Sequence, residues 1–531
     1  MEREKFVDGL LCKLTRKEKI YQTVVSRSEA YLYDDEKAKR LKDEPIGGFF
    51  VGEEIIGSKA MKGDDIVQAI KRANGGLDIP PIICADTEFG CGYMFPDGRY
   101  SNFPWQMTLG ATANTDFAYE FGKYTAIPAK EIGVNLSLGP VADLNMNFLN
   151  PVVNTRAIGD DPELVKTMLA SMVRGMQEYG MGATVKHFPG DGVDYRDQHF
   201  VLTDNGLSKE EWWETFGEVY KTLFKEGALC VMAGHLSFSA YQKERIDEIA
   251  PPATLSKELI VDLLKGELGF EYAVMSDAVC MNAFRTLYCD QVKSEVECFK
   301  AGIDLLLWPS ESYPDALEKA LESGEVPESR LDDAVRRILR VKYELGLFGG
   351  KTFKTDSMDG VFTLDKRIAE AGVTLVRDRK KFLPQKGLKK VAIVSVTPYD
   401  DDHESLKIMQ EEFAKYGVET ELYKADLYKA NCPDSVKDYD MILYCTFCHQ
   451  HKPCGTLQII PSWQVGALNR DRTVVATFGS PYLINSNFPT VNTAIAAYSN
   501  TSECQRMVVR GILGQSPFQG KLPIKLQELA K

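Results

Sequence analysis

Short, almost wholly apolar runs recur through the first three hundred residues, and most of them end in a polar or charged residue. They are PPIICAD, ending at Asp86, NLSLGPVAD (135–143), GATVKHF (182–188), LCVMAGH (229–235), YAVMSD (272–277) and DLLLWP (304–309). Amphipathic helical patterns separate them, such as LSKELIVDLLKGEL at 255–268. A strand that is apolar throughout must be covered on both faces, so strands of this kind alternating with helices indicate a parallel sheet. Six or more such units in about 300 residues favour a closed β/α barrel over an open sheet. The strand ends carry Asp86, Asp143, Lys186 with His187, His235 and Asp277, and the C-terminal ends of barrel strands are where such a fold gathers its reactive groups.

The barrel pattern closes with LDDAVRRILRVKYELGLFGG. Ser329 with Asp332 fits a capping box, apolar residues at 331, 334, 335, 338 and 345 fall on one helical face, and Gly346 suits the end of the helix. Residues 349–388 read as a linker. A second strand-and-helix rhythm then runs from KKVAIVSVTP through VETELYKA, DYDMILYCTF and RTVVATFGSPYL to AIAAYS, as expected of a smaller open α/β sheet. The expected organisation is a barrel over 1–348, a linker over 349–388 and an α/β domain over 389–531, which suits a chain of 531 residues, too long for one ordinary core.

The net charge of −13 argues against nucleic acid or an anionic membrane as the main partner and suits a small, neutral or weakly charged ligand. The N-terminal stretch is charged throughout, and no window approaches the roughly 18 apolar residues that a membrane span needs. With twelve scattered cysteines, the reading is a cytoplasmic chain with reduced thiols. Oligomeric state is left open.

The segment KHFPGDGVDYRDQHF (186–200) is the richest in chemistry, holding two of the six histidines, a lysine and several acids on a loop after a strand. Asp197 and His199 stand two residues apart, so the carboxylate is able to bond one imidazole nitrogen, fix the tautomer and make His199 a proton donor near neutral pH. The structural alternative is a loop held by Asp and His bonds to its own backbone. Asp277 reads either as the N-cap of the next helix or as a carboxylate in the barrel mouth.

Taken together, AVMSDAVCM, KHFPGDGVDYRDQH, GPVADLNMNFLNPVVNTRAIGDDPELV and FGSPYL with GKLPIKL resemble glycoside hydrolase family 3, in its β-N-acetylglucosaminidase branch. The resemblance runs in order from about residue 40 to the C-terminus. It implies a barrel followed by an α/β sandwich-like domain, and a retaining double-displacement reaction on a terminal β-linked N-acetylglucosamine, with no metal or cofactor. Asp277 would be the nucleophile, and Asp197 with His199 the acid/base dyad that marks this branch. Lys186 and His187 would hold sugar hydroxyls, Arg156 would bind the sugar, and Asp86 would grip the far side of the ring. Asp277 must be ionised to act, so Lys186, Arg156 and donors around the site are expected to hold its pKa down.

Three departures from the family pattern bear on sugar and leaving-group preference. Asp191 stands where a histidine or asparagine is usual, Ala278 replaces a second aspartate after Asp277, and ADTEFGCGYMFPDGR leaves a customary arginine unplaced. Phosphorolysis is the alternative reaction, because a histidine acid/base repels phosphate less than a glutamate would; β-glucosidase or β-xylosidase activity is the alternative specificity. An inactive sugar-binding protein is the non-enzyme reading. The cluster Cys445, Cys448, His449, His451 and Cys454 superficially resembles zinc ligands but lacks a separated second pair, and a metal-dependent amidohydrolase would need an H-x-H that the barrel lacks. Trp105, Trp212 and Trp213 are candidates for stacking on sugar rings. His235 reads equally well as a bonded core histidine.

Overall fold

The computed structural model describes all residues except 1, 33–34, 53–54, 57–58, 61–62, 75–76, 94–98, 101, 398, 426–437, 448–462 and 529–531. The chain forms two compact units. The first comprises Met1–Ser101, Ala118–Leu144 and Val165–Phe362; the second comprises Asn102–Phe117, Asn145–Leu164 and Thr363–Lys531.

Eight strands build the main sheet of the first unit: β1 (Val24–Arg27), β2 (Gly48–Phe50), β3 (Ile82–Ala85), β4 (Leu136–Ser137), β5 (Gly182–Phe188), β6 (Cys230–Ala233), β7 (Ala273–Ser276) and β8 (Leu306–Leu307). Each pairs in parallel with its successor from β1 to β7. β8 pairs with β1, and a parallel bridge from Met275 to Leu305 joins β7 to the start of β8, so the sheet closes into a barrel. The runs are apolar because helices cover the outside and side chains fill the inside; all seven residues of β5 are buried. Alternate strand residues, among them Val25, Ile82, Cys84, Leu136, Cys230, Met232, Ala273 and Met275, form one apolar cluster with Ile338, Val341 and Leu345. Truncating one of them, as in Met275→Ala, removes buried methylenes and leaves a cavity, at a cost of about 2–5 kcal/mol.

The helix Glu328–Glu344 buries Leu331, Ala334, Val335 and Ile338, in keeping with the apolar spacing, and Gly346 follows it at a φ of 70°. The expected capping box of Ser329 and Asp332 does not form. Pro327 is extended and the helix begins at Glu328, which puts Ser329 inside the first turn, while the Asp332 carboxylate takes the Lys19 ammonium at 2.7 Å. One turn of this helix carries Lys342, wholly buried, whose Nζ donates to Gln22 Oε1 at 2.6 Å. Burial pulls its pKa down to about 7.

The second unit is a six-stranded sheet of β9 (Thr374–Asp378), β10 (Lys390–Val396), β11 (Glu419–Lys424), β12 (Met441–Thr446), β13 (Thr473–Thr477) and β14 (Thr493–Ala496), in the order β9-β14-β13-β12-β10-β11. All pairs are parallel except β9 with β14. Strand alternation divides the apolar residues between two faces: Ala392, Val394 and Val396 join one core cluster, Val391 and Ile393 the other. The stretch expected as a linker holds β9 and the helix Leu364–Gly372; TLVRD is short and partly exposed, as an antiparallel edge strand tends to be. Residues 102–117 and 145–164, expected within the barrel, group with this unit. Thr108 Oγ1 donates to Ala497 O at 3.2 Å, and Asp160 N donates to Pro523 O at 3.1 Å.

Candidate functional site

Asp86 follows β3, Asp143 lies beyond β4, Lys186 and His187 are the last-but-two and last-but-one residues of β5, His235 follows β6 and Asp277 follows β7. All therefore belong to one end of the barrel, the C-terminal end of its strands. The loop that leaves β5 brings Asp197 and His199 to the same unit.

Lys186, 3% exposed, donates from Nζ to Asp86 Oδ1 at 3.2 Å and meets Glu88 Oε1 at 2.7 Å. The ammonium thus lies between two carboxylates of different exposure: the Asp86 side chain is 41% exposed and that of Glu88 only 6%. Asp143, fully buried, organises the start of the loop. Its Oδ1 accepts from the backbone N–H of both His187 (3.0 Å) and Asp191 (2.8 Å), and its Oδ2 accepts from His187 Nδ1 at 2.7 Å. A carboxylate has no proton to give, so His187 carries a proton on Nδ1.

His199 repeats this arrangement in the open part of the loop. Asp197 Oδ1 accepts from the His199 backbone N–H at 2.8 Å and from its Nδ1 at 2.6 Å. The side chains are part exposed, 25% for His199 and 16% for Asp197. The carboxylate fixes the ring's tautomer and orientation through Nδ1, with Nε2 on the opposite side of the ring from it.

Asp277 is 6% exposed. It is not a helix N-cap, because the next helix begins at Asn282; its Oδ1 accepts from the adjacent Ala278 N–H at 2.7 Å. Burial pushes its pKa up, but the imidazoles of His187, His235 and His199 in their charged form, together with the Ala278 N–H, outweigh burial and hold it below the usual aspartate range. The expectation that Lys186, Arg156 and donors around the site do this holds for one donor, the Ala278 N–H; the larger part comes from the three histidines, while Lys186 meets Asp86 and Glu88.

Arg156 lies in the second unit, on the short turn Asn154–Arg156, with its guanidinium buried and Nη1 donating to Val152 O at 3.4 Å. His235 is a fully buried, doubly bonded residue. Nε2 donates to the Ala278 carbonyl at 3.0 Å, so Nδ1 accepts from the Thr254 hydroxyl at 3.0 Å, and burial lowers its pKa. Trp212 is wholly buried, stacked on Phe238 with its indole N–H on Pro189 O at 2.7 Å. It braces the β5 loop and presents no face to a sugar. Lys221 lies over Trp213, and Trp105 belongs to the second unit.

Sequence reasoning missed Glu88, Asp191 as a bonded group, and Gln198. Only Glu88 carried a signal, two residues beyond Asp86 and therefore on the same side of an extended segment. Among the described residues no group of three or more His, Cys, Asp and Glu is arranged to hold a metal ion. Cys448, His449, His451 and Cys454 lie outside the described residues, while Cys445 is buried and its thiol pKa is raised by burial. No helix among the described residues is long and apolar enough to cross a membrane.

Residues 15–341 match the model of the glycosyl hydrolase family 3 N-terminal domain. A β-N-acetylglucosaminidase/β-glucosidase of Cellulomonas fimi is 28% identical over 509 residues, 90% of this chain and 89% of that protein. Among solved structures, a β-glucoside phosphorylase with bound 2FGlc superposes with a TM-score of 0.85 at 26% identity, covering 99% of this chain and 96% of the other. A family 3 β-N-acetylglucosaminidase from Paenibacillus sp. str. FPU-7 gives 0.82 at 26% identity, covering 97% and 99%.

Proposed function

The chain belongs to glycoside hydrolase family 3, and from that premise we propose that it is a retaining β-N-acetylglucosaminidase releasing terminal β-linked N-acetylglucosamine from small glycosides in the cytoplasm. The observation that carries the reading is the pair formed by Asp197 and His199 beside a buried, ionised Asp277. An aspartate kept charged in a water-poor site is a nucleophile in waiting, and an oriented imidazole is a proton carrier.

In the first step the Asp277 carboxylate attacks the anomeric carbon. The bond to the aglycone oxygen breaks, and that oxygen takes a proton from His199 Nε2. In the second step a water attacks the same carbon, gives its proton to the now neutral Nε2, and the bond to Asp277 breaks. Asp197 keeps the Nδ1 proton in place throughout and stabilises the imidazolium whenever it forms. Lys186, His187 and Asp86 face the sugar hydroxyls, which converts binding energy into orientation.

Phosphorolysis is the second reading, favoured by the likeness to a β-glucoside phosphorylase over 99% of the chain. One assay separates the two: an aryl β-N-acetylglucosaminide incubated with and without phosphate, alongside Asp277→Asn. Release of the aryl alcohol in both buffers, falling about 10³-fold or more in the variant, supports hydrolysis through Asp277. A sugar 1-phosphate formed only with phosphate moves the reaction to phosphorolysis. Turnover of the aryl β-glucoside alone keeps the mechanism and overturns the sugar.

A further inference from the structure

Gln198 stands between the two members of the dyad and is fully buried, although its loop neighbours Tyr195, Phe200 and Val201 are 64%, 60% and 46% exposed. Its amide faces inward and is held at both ends. Nε2 donates to Asp191 Oδ2 at 2.9 Å, and Oε1 accepts from the His235 backbone N–H at 3.0 Å. Asp191, 1% exposed, takes the Gly192 N–H on Oδ1 at 2.6 Å, and its own N–H is bonded to Asp143, the residue that also orients His187. Gly234 leaves room for the amide: a Cβ there would lie 2.8 Å from Gln198 Oε1 and 3.1 Å from His187 Cβ. The loop is thus tied, through one side chain, to the ends of β5 and β6.

We propose that Asp191 and Gln198 are positioning residues, a buried clamp that fixes the Asp197–His199 pair at the barrel mouth in register with His187 and Asp277. The inference rests on His199 as the acid/base group. It also accounts for an aspartate at position 191. The side chain there must offer two acceptor oxygens, one to Gly192 N–H and one to the amide of Gln198, which a carboxylate does and a carboxamide does not. Turning Gln198 inward leaves the residues on either side of it part exposed, where a substrate can reach them.

The clamp has a polarity that can be reversed. Gln198→Glu sets a carboxylate against a carboxylate, and Asp191→Asn sets an amide N–H₂ against a donor. In the double variant the introduced amide at position 191 donates to the introduced carboxylate at position 198. That carboxylate still accepts from His235 N–H, and the amide oxygen at 191 still accepts from Gly192 N–H. The test compares two aryl β-N-acetylglucosaminides, one with a dinitrophenyl leaving group that departs without a proton and one with a phenyl group that needs it. Each single variant is expected to lose about 100-fold in kcat/KM on the phenyl substrate, with kcat/KM on the dinitrophenyl substrate, whose first step needs no proton, changed by less than about threefold. The double variant should return to within about fivefold of wild type.

Singles that match wild type on both substrates, or a double variant whose losses simply multiply, overturn the clamp. So does a pair of singles that lose kcat/KM equally on both substrates. If the singles fail to fold, judged by thermal melts, the double variant decides alone: folded and active supports the clamp, unfolded or inactive overturns it. His199→Gly is run beside them. If it shows no preference between leaving groups, the acid/base reading fails; if it does and the clamp variants do not, only the clamp fails.

Discussion

Lys342→Met is the substitution whose effect follows most directly from burial alone. The amine is wholly enclosed with the Gln22 amide oxygen at 2.6 Å, and it gives up its proton near pH 7 rather than 10.5. That gap of about 3.5 units amounts to roughly 5 kcal/mol that the folded state forgoes when the group is charged in both states. Between pH 7 and pH 10.5 the unfolded chain binds more protons than the folded one, so stability rises with pH across that window and the lysine's cost is largest below it. At pH 7 about 4 kcal/mol of the cost remains, and at pH 10 about 1. Methionine matches the stem in length and cannot titrate, but leaves the Gln22 oxygen without this donor, a pH-independent loss of about 1–2 kcal/mol. The variant should therefore melt higher than wild type at pH 7 and no higher at pH 10. The crossing corresponds to a change of about 3 °C in the difference between their melting temperatures for a chain of 531 residues. Melts of both proteins in matched buffers make the comparison, since every other titrating group cancels in the difference. A gap between the two that does not move with pH would refute the argument, because it would mean that Lys342 keeps its proton in the folded state.

Other outcomes are expected at the mouth of the barrel. His235 is held neutral by burial, so the unfolded chain gains a proton that the folded one does not as the pH falls below about 6.5. Stability should decline there by up to about 1.4 kcal/mol per pH unit, and His235→Asn should flatten that decline in melts between about pH 7 and 5. Lys186→Met removes the cation from between Asp86 and the buried Glu88. It is expected to cost about 3–5 kcal/mol of stability and to raise KM, and an unchanged melting temperature would show that the pair is not energetically coupled.

Much of the barrel was legible because its strands are apolar throughout and several of them end in a charge. β3, β5, β6 and β7 stand where PPIICAD, GATVKHF, LCVMAGH and YAVMSD suggested, and the residues ending those runs lie together at one end of the barrel. β1 and β2 escaped notice because VVSR and GFF are only four and three residues long, too short for an apolar run to stand out. β9 was lost in the apparent linker because TLVRD carries an arginine and an aspartate along a partly exposed edge. The pair Asp197 and His199 was visible from spacing, since two residues in a loop suffice to bring a carboxylate to a ring. Gln198 was not, because an amide between them says nothing of its own until β6 supplies a partner from 37 residues away. Asp277 taken alone read more readily as a helix cap than as a carboxylate in the barrel mouth; the separation between it and the helix that starts at Asn282 removes the cap reading.

The interleaving of the two units along the chain bears on how such a protein can be cut, shuffled or inherited. The chain crosses from one unit to the other five times, and a gene shortened to end at Phe362 would still encode residues 102–117 and 145–164 without the sheet they pack on. The helix Gln106–Thr112 alone would bring Met107 and Ala111, both buried against that sheet's core in the whole protein, into water, an adhesive surface on a product meant to be a free barrel. A recombination that transplants the second unit must therefore carry three stretches of sequence at once, and a single breakpoint cannot do it. The two units are bound to be made, lost and modified as one piece of genetic material.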